Sequence, residues 1–421
     1  MLKYGSLGLA SGLLVALAGC GGSGSGGGGA TVNLSFLSTA VSAQNSLFST
    51  GLTAFSGTYT DLGIATSVAG EGLQSFKMYF REIKICKSLT VSGSGYSNAE
   101  GCVTIYSNTS DTYHGTEGPS ASERTVMEAA GEGKFYDILS ATDRAALSKE
   151  IEFEPGEYNY GIVETHPWVK MKAKSGALCT KPTGAAESTS QPYYTRVTSL
   201  ACGSGAEEAL VYITNANTNF RFLTPFTVEA GGSYKLDLAF NMDGAVKALS
   251  AGASSTLNDA TSGFYVPMVR MVPSPHSASA ATKVETYLLE PTGSNGLGNF
   301  KIRAEIYYDG SDTTKAPLSI MTTVLAGSNQ LPVDNKSIYA NSATVEGDVI
   351  TTKSWAGKVG LTLTRSAEGS EATATLVCSA HGEEGGAFIA ASSPASSDDL
   401  CSTASEVTLR DADGPDTLTL E

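Results

Sequence analysis

The sequence predicts an all-β protein made of two or more antiparallel β-sandwich domains that follow a signal peptide and a Gly-rich linker. In many short segments, apolar and polar residues alternate with a period of two, which is typical of strands with one buried face. Gly-rich and Pro-Gly turns separate these segments, and helical patterns are few. This combination favours sandwiches over α/β units.

The N-terminus has the layout of a secretory signal. Lys3 precedes an apolar stretch from about Leu7 to Leu17, and small residues follow it. The stretch is shorter than the roughly 20 apolar residues needed to span a bilayer. We therefore expect residues 1–19 to be a signal peptide.

The end of this segment, Leu17-Ala18-Gly19-Cys20, resembles the lipobox of bacterial lipoproteins at all four positions. The resemblance implies that the chain is cut before Cys20 and that fatty acids such as palmitate are attached to this residue. Two or three acyl chains anchor a protein stably in a membrane. Because Gly21 rather than Asp follows the cysteine, the resemblance favours the outer membrane, with the body on its periplasmic side or on the cell surface. The alternative is an ordinary secretory signal with an accidental cysteine.

Amino-acid composition indicates how the rest of the chain divides into linkers and domains. Residues 20–31 combine the lipidated cysteine with a flexible Gly/Ser linker. The Pro/Ser/Ala-rich segment at 273–283 lacks periodicity and predicts a second linker. We therefore expect an N-terminal β-sandwich region at 32–272 and a C-terminal β domain at 284–421.

The formal net charge is −15 at pH 7. Nucleic acids and anionic lipid surfaces are bound by clustered Lys and Arg, so the overall balance argues against both as partners. Solubility alone is the simpler explanation of the acidity. The expected partners are the membrane, through the lipid on Cys20, and an unidentified protein or glycan.

The chain has seven cysteines, and assigning Cys20 to the lipid leaves six. An even number in an exported chain indicates disulfides, and six cysteines allow 15 connectivities. Sequence spacing favours three local pairs, each closing a loop worth on the order of 3 kcal/mol. These pairs are Cys86–Cys102, Cys179–Cys202 and Cys378–Cys401. Zinc is the competing interpretation, but the sequence has no C-x-x-C and no His close to any pair.

Two turns predict hairpins. Alternation in Tyr234–Met242 follows Gly231-Gly232, so Phe226–Met242 is predicted to be one hairpin. Ile151 and Phe153 precede a Pro155-Gly156 turn and alternating residues follow it, which predicts a second hairpin.

Other segments continue the β pattern. In Phe76–Cys86 the alternation slips by one residue near Arg81-Glu82, which predicts either a bulge or a break between two strands. Strands are also predicted in Phe300–Tyr308, Lys358–Thr364 and Ala372–Cys378. The best helical pattern is Ala141–Glu150, with Thr142 as the cap of a short helix through Ser148, and the segment from Val41 to Phe55 is ambiguous.

The stretch from about Leu73 to Ala245 is similar to uncharacterised bacterial lipoprotein domains with a transthyretin-like sandwich. The features that carry the resemblance occur in the same order in this chain: FKMYFREIKIC, YDIL, EPGEYNYGIV and FTVEAGGSYKLDLAFNMDG. It covers under half of the chain and includes no catalytic motif. It implies a transthyretin-like or immunoglobulin-like fold class rather than a function.

No catalytic, metal or cofactor site is predicted. The four histidines, His114, His166, His276 and His381, are scattered, and neither H-E-x-x-H nor G-x-S-x-G occurs. Asp411–Asp416 resembles a clipped calcium loop, but an acidic turn explains it better. Glu152, Glu154 and Glu157 flank a turn and imitate paired acid/base carboxylates, although alternation places the first two on a wet strand face. His166-Pro167-Trp168 is predicted to be a loop whose Trp either plugs the sandwich edge or stacks on a sugar or partner.

These observations predict a lipid-anchored, non-enzymatic envelope or cell-surface lipoprotein with a binding or structural role. The first alternative is a pilin-like or fimbrial subunit, which requires a strand that is donated or released. A lipid-anchored hydrolase with a site assembled from scattered carboxylates is the second.

Overall fold

The computed structural model describes the chain over the following residues: 28–39, 59–61, 72–92, 95–108, 135–175, 178–180, 196–198, 200–201, 206–212, 218–242, 246–249, 263–265, 270–276, 282–292, 301–310, 316–325, 336–354, 359–365, 371–378, 406–412 and 416–419. The signal peptide, Cys20 and the ambiguous segment 41–55 lie outside these ranges.

Within these ranges the chain is almost entirely strand, and the only helix is α1, Ala141–Leu147. The strands in chain order are β1 Ala30–Thr39, β2 Tyr59–Asp61, β3 Gly72–Cys86, β4 Ser88–Ser92, β5 Gly95–Glu100, β6 Val103–Ser107, β7 Tyr136–Asp137, β8 Lys149–Phe153, β9 Gly156–Ser175, β10 Leu178–Cys179, β11 Arg196–Thr198, β12 Leu200–Ala201, β13 Ala209–Tyr212, β14 Thr218–Val228, β15 Ser233–Asn241, β16 Lys247–Leu249, β17 Gly263–Tyr265, β18 Arg270–His276, β19 Thr282–Pro291, β20 Lys301–Asp309, β21 Ser319–Leu325, β22 Lys336–Glu346, β23 Val349–Ser354, β24 Val359–Arg365, β25 Ala372–Cys378, β26 Glu406–Asp411 and β27 Asp416–Thr419. The all-β prediction is confirmed.

The N-terminal region contains two main sheets. The small sheet has the order β18-β15-β1-β8, in which β1 and β15 run parallel and the other pairs are antiparallel. The large sheet is built on β9 and β3, with β6, β7, β10, β12, β13 and β14 around them. A four-stranded sheet, β11-β17-β16-β2, and the ribbon β4-β5 complete this region.

Aromatic side chains from both sheets meet in one core. Phe80 of the large sheet lies 5.7 Å, between ring centroids, from Phe240 of the small sheet, which also stacks on Phe36 at 6.0 Å. All three side chains are buried. Each fully buried side chain of this size contributes about 1.5–3 kcal/mol to stability. The packing of these rings against one another joins the two sheets into a sandwich.

Both predicted hairpins are wrong, because each turn carries the chain from one sheet to the other. Strand β8 pairs with β1 in the small sheet, whereas β9 pairs with strands of the large sheet. In the same way β14 pairs with β9, whereas β15 pairs with β1 and β18. The two turns are therefore arches over the end of the sandwich, and Gly231 supplies the left-handed backbone, with φ of 71°, that the second arch uses.

Residues on either side of the two arches face each other in the core. The Phe153 ring lies 5.0 Å from Tyr158 and 6.0 Å from Phe226, and Phe226 lies 5.7 Å from Tyr234. In a hairpin, the residues on the two sides of the turn would lie on the same sheet. Here they lie on different sheets, and their edge-to-face aromatic packing stabilises the arches.

Strand β3 is continuous, so the slip in its sequence pattern is a bulge rather than a break. Its register against β9 shifts between Met78 and Phe80 and again between Phe80 and Glu82. The extra residues let Phe80, Ile83 and Ile85 all face the core despite the change of phase.

The C-terminal strands form a sheet that closes on itself. Strands β19 to β26 pair in a ring, because β19 contacts β20 on one side and β26 on the other, and β27 also pairs with β19. The ring encloses its own core, which includes Tyr287, Ile306, Leu361 and Leu363. Within the described residues, each strand of the ring therefore pairs with a neighbour on both sides, although β19 and β26 meet only at Glu290–Arg410 and Pro291–Leu409.

The two regions share packing along β18 to β21. Val284, Tyr307 and Met321 belong to the sandwich core, whereas their strand neighbours face the core of the closed sheet. Within the predicted linker 273–283, residues up to His276 lie in β18 and pair with β15, and β19 begins at Thr282. Residues 277–281 lie outside the described part of the chain, and the domain division at this point stays a prediction.

This packing changes the exposure of charged residues on alternating strands. Asp237, which alternates along β15 with the core residues Leu236 and Leu238, is also fully buried, and its Oδ2 accepts a hydrogen bond from Thr282 Oγ1 at 3.0 Å. Arg303 and Glu305 on β20 are also buried, with Nε and Oε1 separated by 3.9 Å. Contact between the two regions therefore buries charged residues on both of them.

The predicted short helix exists, but its cap is Ser140 rather than Thr142. Ser140 Oγ accepts a hydrogen bond from Asp143 N, and its backbone is extended, as an N-cap requires. Thr142 lies inside the first turn. The backbone N–H groups that follow it already bond within the helix, so its hydroxyl has none to cap.

Candidate binding faces of the sandwich

The outer face of the large sheet carries a row of lysines. Lys170, Lys172 and Lys174 alternate on β9 with the buried residues Val169, Met171 and Ala173. Since successive side chains of a strand point to opposite faces, the three lysines project outward together. All three are partly exposed. We call these three residues the lysine row.

Charged and aromatic residues of neighbouring segments surround the lysine row. Lys77 on β3 lies directly opposite Lys170, and its Nζ is 2.9 Å from Glu208 Oε2. Lys170 Nζ lies 4.6 Å from the centre of the Phe135 ring, a cation–π distance. The face is thus locally basic in a chain whose net charge is −15.

An aromatic cluster lies beside the lysine row. Tyr79, Phe135, Trp168 and Leu210 are buried together, with the Tyr79 and Phe135 rings 5.5 Å apart. The predicted loop at His166–Trp168 is wrong, because these residues belong to β9. Trp168 is 1% exposed and packs in this cluster on β9, which is flanked by β3 and β13, so it neither lies at a sandwich edge nor presents a surface for stacking on a sugar.

A row of glutamates lies on the small sheet. Glu150 and Glu152 of β8, and Glu154 just after it, are exposed, whereas the intervening Phe153 is buried. The predicted wet face for Glu152 and Glu154 is therefore confirmed. We call Glu150, Glu152 and Glu154 the glutamate row. Glu157 is also exposed, on the far side of the arch.

The disulfide predicted between Cys86 and Cys102 is present, with Cα atoms 3.9 Å apart. Cys86 is buried at the end of β3, so the bridge fastens the β4-β5 ribbon to the large sheet. Cys179 is buried and disulfide-bonded. Cys202 and Cys401 lie outside the described residues, as does the side chain of Cys378. The pairs Cys179–Cys202 and Cys378–Cys401, like the lipid on Cys20, remain predictions.

The other candidate catalytic or metal-binding residues lie apart from one another. His114 and His381 lie outside the described residues, His276 ends β18, and the buried His166 accepts a hydrogen bond at Nδ1 from Trp168 N at 3.3 Å. Asp411 is buried, and its Oδ2 accepts a hydrogen bond from Leu288 N at 2.8 Å. Across the described ranges, no three His, Cys, Asp or Glu side chains group as metal ligands would.

One polar cluster inside the closed sheet was not anticipated from the sequence. Tyr287 Oη donates a hydrogen bond to Glu285 Oε2 at 3.1 Å, and Arg365 Nη1 lies 3.7 Å from the same oxygen. Burial raises the pKa of Tyr287 and of Tyr308, and the neighbouring Glu285 carboxylate raises both further. Alternation in β19 placed Glu285 on the same face as Tyr287, but only sheet closure reveals that this face is internal.

Where the chain is described, it contains no helix that is both long enough and apolar enough to cross a membrane. No protein-family model, curated protein or solved structure matches this chain.

Proposed function

We propose that this chain is an exported bacterial lipoprotein, anchored through Cys20 to the outer membrane, with a non-enzymatic binding or structural role. The observation that carries the proposal is the lipobox Leu17–Cys20, which matches its pattern at every position. The Cys86–Cys102 disulfide supports export, since such bonds persist in oxidising compartments.

The placement of the first strand supports a tethered body. Strand β1 begins at Ala30, ten residues after Cys20. A chain of this length reaches at most about 35 Å when fully extended, so the lipid would hold the body near the membrane surface. Thr31 N bonds to Gly232 O in the second arch, which puts the arch end of the sandwich nearest to the tether.

The non-enzymatic role is supported by how the candidate catalytic groups are used. The glutamate row is exposed on a strand, Asp411 accepts a backbone hydrogen bond, and Glu285 is held by Tyr287 and Arg365. Each of these carboxylates therefore has a structural or solvated setting.

Radioactive palmitate labelling of growing cells tests the anchor. The wild-type chain should take up label and fractionate with outer membranes, whereas Cys20→Ala should lose the label and leave the membrane fraction. Cys86→Ala is the matched control, because it removes a cysteine from the body and should keep the label. An unlabelled wild-type chain would refute the proposal.

The pilin-like alternative is favoured by one feature of the small sheet. Strand β1 is the first described strand after the tether, and it lies between β15 and β8 with Val32, Leu34 and Phe36 buried. Release of β1 would open a long apolar groove between its neighbours. Polymers that form in a purified sample only after cleavage between Cys20 and β1, and that resist salt, would favour this function.

A further inference from the structure

The glutamate row and the lysine row have matching geometry. Each consists of three like charges at alternate sequence positions: the three lysines lie in β9, whereas Glu150 and Glu152 lie in β8 and Glu154 directly follows that strand. Because a strand rises about 3.3 Å per residue, alternate positions within β8 and within β9 are about 6.6 Å apart. Two strand segments with the same spacing and opposite charge can pair at successive positions, such as Glu152 against Lys172.

The two rows of one molecule point in opposite directions. Phe153, between the glutamates, and Met171, between the lysines, both belong to the core between the sheets. The glutamate row therefore projects from the outer face of the small sheet, and the lysine row projects from the outer face of the large sheet. A single copy cannot bring them together.

The glutamate row is also accessible along its strand. Within the described residues β8 is at the end of the small sheet's strand order, next to β1 alone. Glu150 lies opposite Asn33 and Glu152 opposite Thr31 on that neighbour, neither of which carries charge. The negative charge on this edge is thus not neutralised by the adjoining strand.

From this complementarity we propose that copies of the chain associate head to tail, with the glutamate row of one copy against the lysine row of the next. A second copy is favoured over a foreign anionic polymer because the chain itself presents both halves of the contact. Such a heterologous contact uses two different patches, so it propagates into a row of molecules rather than closing a dimer. It goes beyond the proposed function and does not require the lipid.

Sedimentation velocity of the full-length chain in density-matched detergent tests the proposal. We expect association at about 0.05 M salt that is largely lost at about 0.5 M, because exposed charge pairs are screened over a shorter distance. Lys172→Glu and Glu152→Lys should each weaken association by about tenfold or more, since each places like charges opposite one another. The Lys172→Glu/Glu152→Lys double variant should recover most of it.

Glu346→Lys is the matched control, because Glu346 is exposed on β22, a strand that carries neither row, and its substitution should leave association unchanged. Cys20→Ala should also associate like the wild type, which separates this proposal from the lipid anchor. A wild-type chain that stays monomeric at low salt would overturn the proposal. Association that withstands salt or Lys172→Glu would also overturn it. So would a monomer whose lysine row binds only an added anionic polymer such as polyglutamate.

Discussion

The sandwich and the closed sheet bury different kinds of core. The sandwich core is aromatic and aliphatic, with Phe80, Phe153 and Phe240 at the contact between its two sheets. The closed sheet surrounds aliphatic residues together with the polar cluster of Glu285, Tyr287 and Arg365. An open sandwich is held by apolar contact between its layers. A sheet closed by hydrogen bonds around its whole circumference can retain polar side chains inside, provided that they pair with one another.

Strand β20 belongs to both cores. Ile306 and Tyr308 face the interior of the closed sheet, whereas Tyr307 packs in the sandwich core. Loss of either core should therefore disturb the other, and the predictions below test how far the two differ.

The largest expected effect is in the sandwich. Phe153→Ala removes the ring that joins both arches and should reduce the free energy of unfolding by about 3–5 kcal/mol. Chemical denaturation followed by circular dichroism measures it, with the disulfides kept oxidised. Glu152→Ala, at the exposed neighbour, should change stability by less than about 0.5 kcal/mol. Similar values for the two variants would contradict the arch packing.

In the closed sheet, Glu285→Ala should cost about 3 kcal/mol, because it leaves the largely enclosed Arg365 guanidinium, 12% exposed, without this carboxylate. Glu285→Gln retains an acceptor for Tyr287 Oη and should cost less. The same denaturation measurement compares them. Equal losses in the two variants would show that the charge of Glu285 does not matter to this core.

Alkaline pH should weaken the closed sheet through its two enclosed tyrosines. The pKa values of Tyr287 and Tyr308 are raised in the folded protein, so both hydroxyls keep their protons at a pH where the unfolded chain loses them. Stability is therefore complete below about pH 10 and falls above it, by about 1.4 kcal/mol per pH unit for each tyrosine. Tyr287→Phe should make this fall less steep between about pH 10 and 11. An unchanged slope in that variant would contradict the assignment.

The smallest effect concerns the helix beside the sandwich. Ser140→Ala removes the N-cap and should cost about 1 kcal/mol, whereas Thr142→Ala should cost almost nothing. Urea denaturation of both variants provides the comparison. A larger loss of stability in Thr142→Ala than in Ser140→Ala would instead indicate that Thr142 is the cap.

The positions of the strands were predictable because apolar and polar residues alternate with a period of two in both regions. The Cys86–Cys102 pairing was predictable too, since its loop is short. The pairing partners of the strands were not predictable, because the same Gly-Gly or Pro-Gly turn can join two strands of a hairpin or form an arch between two sheets. The burial of Asp237 and Arg303 depends on contact between regions that are distant in sequence, which local alternation does not encode.

The charged faces were only partly predictable. The alternation of Lys170, Lys172 and Lys174 is visible in the sequence, but the net charge of −15 concealed a local basic face. That Lys77 joins them is set by the register of β3 against β9, which the bulges shift. That the glutamate row faces away from the lysine row follows from the assignment of β8 and β9 to different sheets.

The lipid anchor is tested most directly by mass spectrometry of the N-terminal peptide from the membrane-extracted protein. The account predicts a peptide that begins at Cys20 and carries the mass of a diacylglyceryl group, with or without a third acyl chain on its amino group. A mature chain that begins elsewhere, or an unmodified Cys20, would contradict it.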